Sequence, residues 1–422
     1  MVDIGELVLE VMSWVPGFLA AFDPLSGGDV RMENLHVSIA AAVVAQGLNI
    51  DYVSVANPGI KALTVSRISH VDQNYLRAET YAAAAGELVG AQAGIAFAEA
   101  LGGGLIAGVD GMRFVVGVPS IAARPNPRYF GRGRGATWLN MLNDQGMGLA
   151  GMVVSGTPRD SLHIIDLIYR QEAGQRPEVV ISDAGSYSDV VFGLLALLGF
   201  DYRPQPADLP DARLWRIDTA ADYGALFSAL RGRIDLGRIR SQWPEILRLV
   251  ASVHTGAVSA HDVLRMLARG GALTALGDAL AHYGRIFKTL HILSYVDEEP
   301  YRRQIKGIRN LQEGRHDLAR RLFHGGKGEL AQSYQDGMED QLGALGLLLN
   351  CIALWNTVYI DLALARLRAQ GEEVRDEDAA RLSVYVRNHI NVDGQYSFHL
   401  PDLGGARRPL REPGDAVPAG RI

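Results

Sequence analysis

Two aspartates directly follow apolar runs that are typical of buried strands. Asp110 follows Leu105–Val109 (LIAGV), and Asp183 follows Val179–Ser182 (VVIS). A carboxylate at the end of a core strand has a rigid support and access to solvent, and open α/β sheets place their sites at such strand ends. Two such carboxylates on neighbouring strands can share a divalent cation, and hard oxygen ligands favour Mg²⁺ or Mn²⁺. The pair therefore predicts a metal-dependent site.

Each aspartate also has a purely structural interpretation. Asp110 can form, with Gly111, the tight turn of a hairpin, because Asp-Gly suits the left-handed conformations of such turns. The two strands of that hairpin would be Leu105–Val109 and Met112–Val118. Asp183 can cap the helix that follows it. Both interpretations stay open, and the occurrence of the two positions together shifts the balance modestly toward a site.

A concentrated run of positive charge lies between Tyr301 and Gly328. This stretch holds eight Lys or Arg residues and only two acids, Glu313 and Asp317. In a chain of net charge −6, such a run predicts a polyanionic partner whose binding weakens with salt. The alternative is a solvated helix face that carries i,i+4 ion pairs. The basic residues are Arg302, Arg303, Lys306, Arg309, Arg315, Arg320, Arg321 and Lys327.

A second basic segment is the Pro/Gly/Arg loop predicted over Ala123–Gly135. Tyr129, Phe130 and Trp138 lie within or beside it, and aromatic rings among arginines either stack on unpaired bases or anchor the loop. A third cluster is partly offset by Asp235. The arginines are Arg124, Arg128, Arg132 and Arg134 in the loop, and Arg231, Arg233, Arg238 and Arg240 in the third cluster.

The composition indicates a folded globular protein. The chain has 422 residues, of which 48% are apolar and 21% charged, and these values exclude intrinsic disorder and a fibrous repeat. Cys351 is the single cysteine, so a disulfide framework and a multi-cysteine zinc site are excluded. A reducing compartment, the cytoplasm, is expected.

One segment is long enough to cross a membrane. Leu342–Ile360 carries no charge over 19 residues. It also contains Asn350, Asn356 and Thr357, and no signal peptide is predicted because the N-terminus lacks a basic region. We therefore expect a buried helix of a large domain and no membrane partner.

The order of the predicted elements indicates a mixed α/β core with helical surroundings. Strands come first as a hairpin and then alternate with helices, a pattern typical of a mixed sheet with helices packed on it. We expect a helical region over 1–103, the first part of the α/β core over 104–219 and a helical insertion over 220–300. Further helices follow over 301–400, and the Pro/Gly/Arg-rich tail over 401–422 is expected to be disordered.

The residues alone suggest a metal-dependent enzyme that acts on nucleic acid, and four longer segments add a resemblance. They are GVDGMRF (108–114), SDAGSYSD (182–189), EGRHDLARRLFHGGKGEL (313–330) and QDGMEDQLGALGLLLNCIALWNTVYI (335–360). In this order they resemble motifs of the replicative DDE transposases of the Tn-three (ampicillin-transposon) type. The resemblance spans about residues 4–400, and several long motifs in order are more specific than one short pattern.

The resemblance implies which residues form the site. The catalytic and metal-binding triad falls on Asp110, Asp183 and Glu313, with a long second gap that would hold the helical insertion of a ribonuclease-H-like fold. Rival carboxylates are Asp189, Glu329 and Glu339, and His254 and His324 are weaker candidates for phosphate contacts. The DNA-binding candidates are Arg124, Arg128, Arg132, Arg134, Arg315, His316, Arg320 and Lys327.

The implied activity is cleavage at transposon ends and strand transfer into target DNA in replicative transposition. Magnesium or manganese would be the cofactor, in two-metal chemistry that needs no covalent protein intermediate. DNA would be the partner, with a homodimer in the complete protein. One alternative is a truncated, catalytically silent transposase remnant that binds DNA or a partner protein. Another is a hydrolase that uses the two aspartates on a different phosphoester.

Overall fold

The structure is a computed structural model that describes residues 1–27, 32–159, 162–171, 174–183, 185, 187–206, 208–210, 212–269, 272–400 and 407–410. The longer helices are α1 (Ile4–Trp14), α2 (Leu35–Leu48), α3 (Val65–Tyr75), α4 (Ala78–Ala93), α5 (Ala96–Leu101), α6 (Ile164–Tyr169), α7 (Asp189–Leu197), α8 (Leu236–His254), α9 (Ala260–Leu267), α10 (Ala275–Asp297), α11 (Glu299–Leu322) and α12 (Gln335–Ala369). Short helices span Pro16–Ala20, Tyr52–Val55, Pro127–Phe130 and Asp376–Ala379, and tighter helical turns span Lys61–Leu63, Gly224–Leu226 and Gly325–Gly328.

A mixed sheet forms the centre of the protein. Its strands are β1 (Ile106–Val116), β2 (Arg134–Asn143), β3 (Gly148–Ser155), β4 (Val179–Ser182) and β5 (Asp201–Tyr202), and a short strand at Arg124–Pro125 pairs with the start of β2. The order across the sheet is β3-β2-β1-β4-β5. The pairs β1–β2 and β2–β3 are antiparallel, whereas β1–β4 and β4–β5 are parallel. The predicted mixed α/β architecture is confirmed.

The predicted hairpin at Asp110-Gly111 is wrong. β1 continues through both residues, and they pair with Asn140 and Leu139 of β2. Asp-Gly favours a tight turn only where the two flanking strands pair with each other. Here both halves of the run pair with the same partner, β2, so the chain stays extended.

Several other elements differ from their predicted limits. Strand β4 has the predicted bounds, whereas β2 was not predicted and is buried along almost its whole length. Helix α11 begins at Glu299, just before the predicted start of the last helical region at residue 301, and continues without a break to Leu322. The start of the helical insertion predicted over 220–300 is less helical than expected, with only the turn Gly224–Leu226 before α8 begins at Leu236. Short paired strands join Trp215–Arg216 to Gly232–Arg233, Ala268–Arg269 to Ala272–Leu273, and Val2–Asp3 to Ile390–Asn391.

Two large cores lie on opposite faces of the sheet. Alternate residues of a strand face opposite sides, so Leu139 and Met141 of β2 join the core formed with α6 to α10. Trp138 joins the other core, which includes α1 to α4 and α12. The region predicted as a separate N-terminal part therefore shares one core with the C-terminal helices. The predicted domain boundaries themselves stay a prediction.

Helix α12 is the buried apolar helix that the sequence predicts. Among the described residues it is the helix long and apolar enough to cross a membrane, and 72% of its most apolar window is buried inside the protein. Glu10 of α1 is also buried here and accepts hydrogen bonds from Trp355 Nε1 (3.1 Å) and Tyr359 Oη (2.6 Å). Arg408 completes this cluster with an ion pair to Glu10 (2.6 Å). Apart from residues 407–410, the tail predicted to be disordered lies outside the described residues.

Glycines set the distance between α7 and α10. A Cβ atom at Gly284 would lie 1.8 Å from the Asp189 carbonyl oxygen, whereas one at Gly307 of α11 would meet no atom within 4 Å. We expect Gly284→Ala to lower the free energy of unfolding by about 1–3 kcal/mol, because the two helices must move apart. Gly307→Ala is the matched control and should raise it by about 0.5–1 kcal/mol through helix propensity. Urea unfolding tests both, and equal stabilisation by the two variants would contradict the close helix crossing.

Candidate active site

Asp110 and Asp183 occupy adjacent positions on neighbouring parallel strands. The last paired residues of β1 and β4 are Val109 and Ser182, and each aspartate is the next residue of its chain segment. Because paired strands lie about 4.8 Å apart, this register brings the two backbones side by side. Asp183 follows the end of its strand as expected, whereas Asp110 lies within β1 at the point where pairing with β4 stops.

Both carboxylates lie on the face of the sheet that α11 covers. Side chains two residues apart share a face of a strand, so Asp110 lies on the same face as Gly108, and Asp183 on the same face as Ile181. A Cβ at Gly108 would come within 2.6 Å of Ile308 of α11, so the absence of a side chain there lets the helix approach β1 closely. Ile181 packs against the same Ile308. The two aspartates therefore face the helix.

Glu313 lies on α11, one turn beyond this contact. Gln312 and His316 reach into the sheet, whereas Glu313 itself is exposed. Its negative charge is nevertheless close enough to raise the pKa of Asp110, as is the charge of Asp183. The structure thus brings the three predicted carboxylates into one electrostatic neighbourhood.

The carboxyl of Asp110 is strongly perturbed. Burial is the main cause that raises its pKa to about 6, and the carboxylates of Asp183 and Glu313 raise it further. The backbone N–H of Gly111, which donates to Asp110 Oδ1 at 2.7 Å, and the charge of Arg113 act in the opposite direction. Asp183 has a simpler local role, since it accepts a hydrogen bond from the backbone N–H of Gly185 (3.0 Å). Ionisation of Asp110 near pH 7 therefore lowers the stability of the folded protein.

The chemistry of these side chains suits a hard divalent cation. Three carboxylates supply only oxygen ligands, which Mg²⁺ and Mn²⁺ prefer. A cation beside Asp110 would also offset both the burial and the repulsion that raise its pKa. Within the described part of the chain, however, no three Asp, Glu, His or Cys side chains already stand together as a metal-binding group. The three carboxylates suit such an ion in ligand type and in charge, although their oxygen atoms are not already close enough together to hold it.

A network of buried polar side chains from β2 and α11 contacts Asp110. The Asn140 side-chain amide donates to the Asp110 carbonyl oxygen (3.3 Å) and lies 2.9 Å from Nε2 of His316. Gln312 donates to Asn140 Oδ1 (2.6 Å). Burial lowers the pKa of His316 to about 3, so the ring is neutral. With Nε2 accepting, the proton lies on Nδ1, which is 3.6 Å from Asp110 Oδ2.

Asn140 and Gln312 are members of this network that the sequence analysis missed. Asn140 lies between apolar neighbours in the segment WLNML (138–142) of β2, and Asn140 and Gln312 are both almost fully buried. A polar side chain in the middle of a buried strand needs a partner, because an unpaired buried amide is costly. That position is the one signal in the sequence that could have identified Asn140.

Two of the three rival carboxylates have other partners. Asp189 forms ion pairs with Arg285 (2.9 Å) and Lys288 (2.8 Å). Glu339 pairs with Arg170 (3.1 Å) and accepts from the backbone N–H of Val153. Glu329 lies near Gly117, beyond the end of β1. His254 and His324 are likewise occupied, with contacts to Tyr169 Oη (3.0 Å) and the Leu322 carbonyl oxygen (2.9 Å) respectively.

Two predicted DNA contacts lie inside the protein. Arg315 and His316 are each 2% exposed, so neither presents its side chain to solvent in this structure. Arg315 donates from Nη2 to the carbonyl oxygen of Gly346 (3.2 Å), and His316 belongs to the network around Asp110. The helical face that carries these residues is buried against the sheet and α12, which a charge count along the sequence does not detect.

The other predicted basic residues lie on the surface. Arg113, beyond Asp110 on β1, stacks on the Tyr129 ring at 4.2 Å. Part of the charge on α11 is paired, as in Arg303 with Glu299 (2.6 Å). The following are exposed and form no ion pair with a described acid: Arg124, Arg128, Arg132 and Arg134 of the loop, and Lys306, Arg309, Arg320 and Lys327 of the 301–328 run.

Comparison with known proteins identifies what the chain resembles. The family model described as the Tn3 transposase DDE domain matches residues 6–396. The transposase for transposon Tn4556 of Streptomyces fradiae is 60% identical over 411 residues, which are 97% of this chain and 46% of that protein. The transposase for transposon gamma-delta of Escherichia coli (strain K12) is 42% identical over 97% of this chain and 41% of its own length. The chain therefore spans about half the length of these relatives.

Removing the charge at position 110 should stabilise the protein without metal. The folded-state pKa of Asp110 is about 6 against an ordinary 3.8, so the wild-type protein loses stability as pH rises between these values. Asp110→Asn should therefore unfold at higher urea at pH 7.5 in EDTA, with a gain of about 1–3 kcal/mol that vanishes near pH 4.

Asp189→Asn is the contrasting variant for this measurement. It breaks contacts with Arg285 and Lys288 and should lower the stability at pH 7.5. If Asp110→Asn is no more stable than the wild-type protein at pH 7.5, Asp110 is not under the electrostatic strain described above.

Proposed function

The chain belongs to the family of Tn3 transposase DDE domains, and we propose that Asp110, Asp183 and Glu313 are the catalytic carboxylates of its DNA cleavage and strand transfer. One observation carries the proposal: two aspartates stand at adjacent positions on parallel strands, beneath the helix that bears the glutamate. The three interact electrostatically although they are far apart along the chain. The proposed reaction is cleavage at transposon ends followed by joining to target DNA, in replicative transposition.

We propose Mg²⁺ or Mn²⁺ as the cofactor, held by the same three carboxylates. When bound, such ions activate water and stabilise the leaving 3′ oxygen in phosphodiester cleavage. Asn140 has a supporting role, because its hydrogen bond fixes the backbone of Asp110, and the neutral ring of His316 lies 3.6 Å from the Asp110 carboxylate. Arg113 lies three residues beyond Asp110 on the same strand, and its positive charge lowers the pKa of Asp110, so it acts electrostatically on the site.

The strand arrangement supports a ribonuclease-H-like fold. Three antiparallel strands, β3, β2 and β1, are followed by two that run parallel to β1. The helices α8, α9 and α10 lie between the last of these strands and α11, at the place where the resemblance expects a helical insertion. This topology accounts for the long sequence separation between Asp183 and Glu313.

The surface arginines support DNA as the partner. Val116 pairs with Arg134, six residues along β1 from Asp110, so the arginine loop begins about 20 Å from that carboxylate along the sheet. Arg113 lies between the two. A DNA phosphate backbone that runs from the carboxylates to the loop Ala123–Gly135 would therefore meet exposed arginines that form no ion pair with a described acid. We propose transposon ends and target DNA as these partners, in the cytoplasm, with a homodimer in the complete protein.

One observation favours the alternative of a catalytically silent remnant that binds DNA or a partner. Within the described residues, the carboxylates are not already grouped to hold an ion. The two proposals differ in one measurable respect, because the remnant would bind DNA but would not join strands.

The catalytic proposal predicts that each carboxylate is essential. We expect Asp110→Asn, Asp183→Asn and Glu313→Gln to abolish metal-dependent joining of a pre-nicked transposon end to target DNA while DNA binding is retained. Glu339→Gln is the matched control and should stay active, because its partners are Arg170 and Val153. A gel assay of strand transfer with Mg²⁺ or Mn²⁺ measures both.

Two outcomes of this assay would contradict the catalytic proposal. Unchanged activity in Asp110→Asn would remove this residue from the chemistry. An inactive wild-type chain that still binds DNA would favour the silent remnant.

DNA binding should depend on the exposed arginines of the loop Ala123–Gly135. We expect Arg128→Glu and Arg132→Glu to weaken binding and to reduce the salt dependence of log K by about 1 per lost phosphate contact. Arg248→Glu is the control, since Arg248 is exposed on α8 and already pairs with Glu245 (2.9 Å). Fluorescence anisotropy over a series of salt concentrations measures both quantities. A salt-independent affinity would contradict phosphate contacts.

A further inference from the structure

A pocket with two acids and two aromatic rings lies between α1 and α12. Glu6, Glu10 and Trp14 follow one another at intervals of four residues on α1, so their side chains lie along one face of that helix. Tyr359 of α12 faces them, because its ring centroid is 6.0 Å from that of Trp14 and its hydroxyl donates to Glu10 Oε1 (2.6 Å). These four residues form the α1–α12 pocket.

Arg408 fills the acidic part of this pocket. Its Nε pairs with Glu10 (2.6 Å) and its Nη2 with Glu6 (3.2 Å), so one guanidinium bridges two carboxylates. Its backbone N–H donates to the Tyr359 hydroxyl (2.8 Å), which in turn donates to Glu10. Both acids and the phenol of the pocket therefore contact the same arginine.

The neighbours of Arg408 contact the rest of the pocket and the core beside it. The guanidinium of Arg407 lies 3.8 Å from the centroid of the Trp14 ring, which is a cation–π contact. Leu410 packs against the hydrophobic core that includes α1 and α12. Arg408 and Leu410 are half-buried whereas Arg407 and Pro409 are exposed, and this alternation is typical of an extended segment.

The chemistry of the pocket favours arginine. Glu10 is 1% exposed, and among the described residues Arg408 is the ion-pair partner of its carboxylate. A buried carboxylate without a counter-charge is costly, so a cation is bound favourably here. Arginine presents neighbouring N–H groups in a fixed plane and can serve both acids, whereas lysine offers a single point charge.

We propose that the α1–α12 pocket is a peptide-recognition site for an extended Arg-Arg-Pro-Leu segment, and that the chain's own residues 407–410 occupy it reversibly. In the described part of the chain these residues form no helix or strand, and side chains and one backbone N–H make the contacts given above. Extended peptides bind preformed protein surfaces in this way. Recognition of the segment needs neither a metal nor a catalytic carboxylate, so it is independent of the proposed function.

The test uses the full chain and a fluorescent peptide with the sequence of residues 404–413 (GGARRPLREP). In Arg408→Ala the chain's own segment no longer neutralises the two acids, so we expect this variant to bind the peptide with a Kd below about 100 µM. The wild-type chain should bind it about tenfold more weakly, because its own segment competes at an effective concentration on the order of 1 mM. Fluorescence anisotropy measures both affinities.

Matched changes locate the site and identify the group that it reads. In the Arg408→Ala chain, Glu6→Gln should weaken peptide binding about tenfold, whereas Glu99→Gln, at an exposed acid on α5, should leave it unchanged. A peptide that carries Arg408→Lys should also bind about tenfold more weakly, although its net charge is the same.

A second variant covers the case in which Arg408→Ala does not fold. Arg407 is exposed, and Arg407→Ala removes only its contact with the Trp14 ring. This change holds the chain's own segment less tightly, so the variant should bind the peptide about threefold more tightly than the wild-type chain.

Three results would overturn the proposal. One is that neither arginine variant binds the peptide more tightly than the wild-type chain does. Another is equal binding of the peptide that carries Arg408→Lys, which would indicate attraction between charges alone. The last is an equal effect of Glu6→Gln and Glu99→Gln, which would place the peptide elsewhere.

Discussion

Two negative charges held side by side on neighbouring strands are the constraint on which the site depends. The parallel register of β1 and β4 fixes Asp110 next to Asp183, and neither backbone can move without breaking the ladder at the centre of the sheet. Burial is the main cause that raises the pKa of Asp110 to about 6, and the negative charge of Asp183 adds to it. The fold thus holds Asp110 where its ionised form is unfavourable, as functional sites commonly do. A cation bound beside the two aspartates would offset that cost.

The uninterrupted helix α11 connects the two aspartates to α12. Ile308 of α11 contacts the sheet at Gly108 and Ile181, and the next turns bring Gln312 and His316 to Asn140. The same helix directs Arg315 to the Gly346 carbonyl oxygen of α12. Polar positions on the buried face of α11 therefore contact the sheet on one side and α12 on the other.

The sequence predicted the parts of this arrangement that depend on local pattern. β4 has the predicted bounds, and Asp183 follows its end as the rule about strand ends predicted. It did not predict that Asp110 lies within a strand, because the turn preference of Asp-Gly is overridden by pairing with β2, a long-range contact. Arg315 was predicted to contact DNA from the run of positive charge and the family resemblance, and only the packing of α11 between the sheet and α12 shows that it is buried. Asn140 was missed because its role depends on partners far away in the chain.

The most direct measurement of the central claim is anomalous diffraction from crystals of the chain soaked with Mn²⁺. The account predicts manganese peaks bounded by the carboxylates of Asp110, Asp183 and Glu313, and their loss in crystals of the Glu313→Gln variant. Manganese bound elsewhere, with Glu313 still turned to solvent and these carboxylates unliganded, would contradict it.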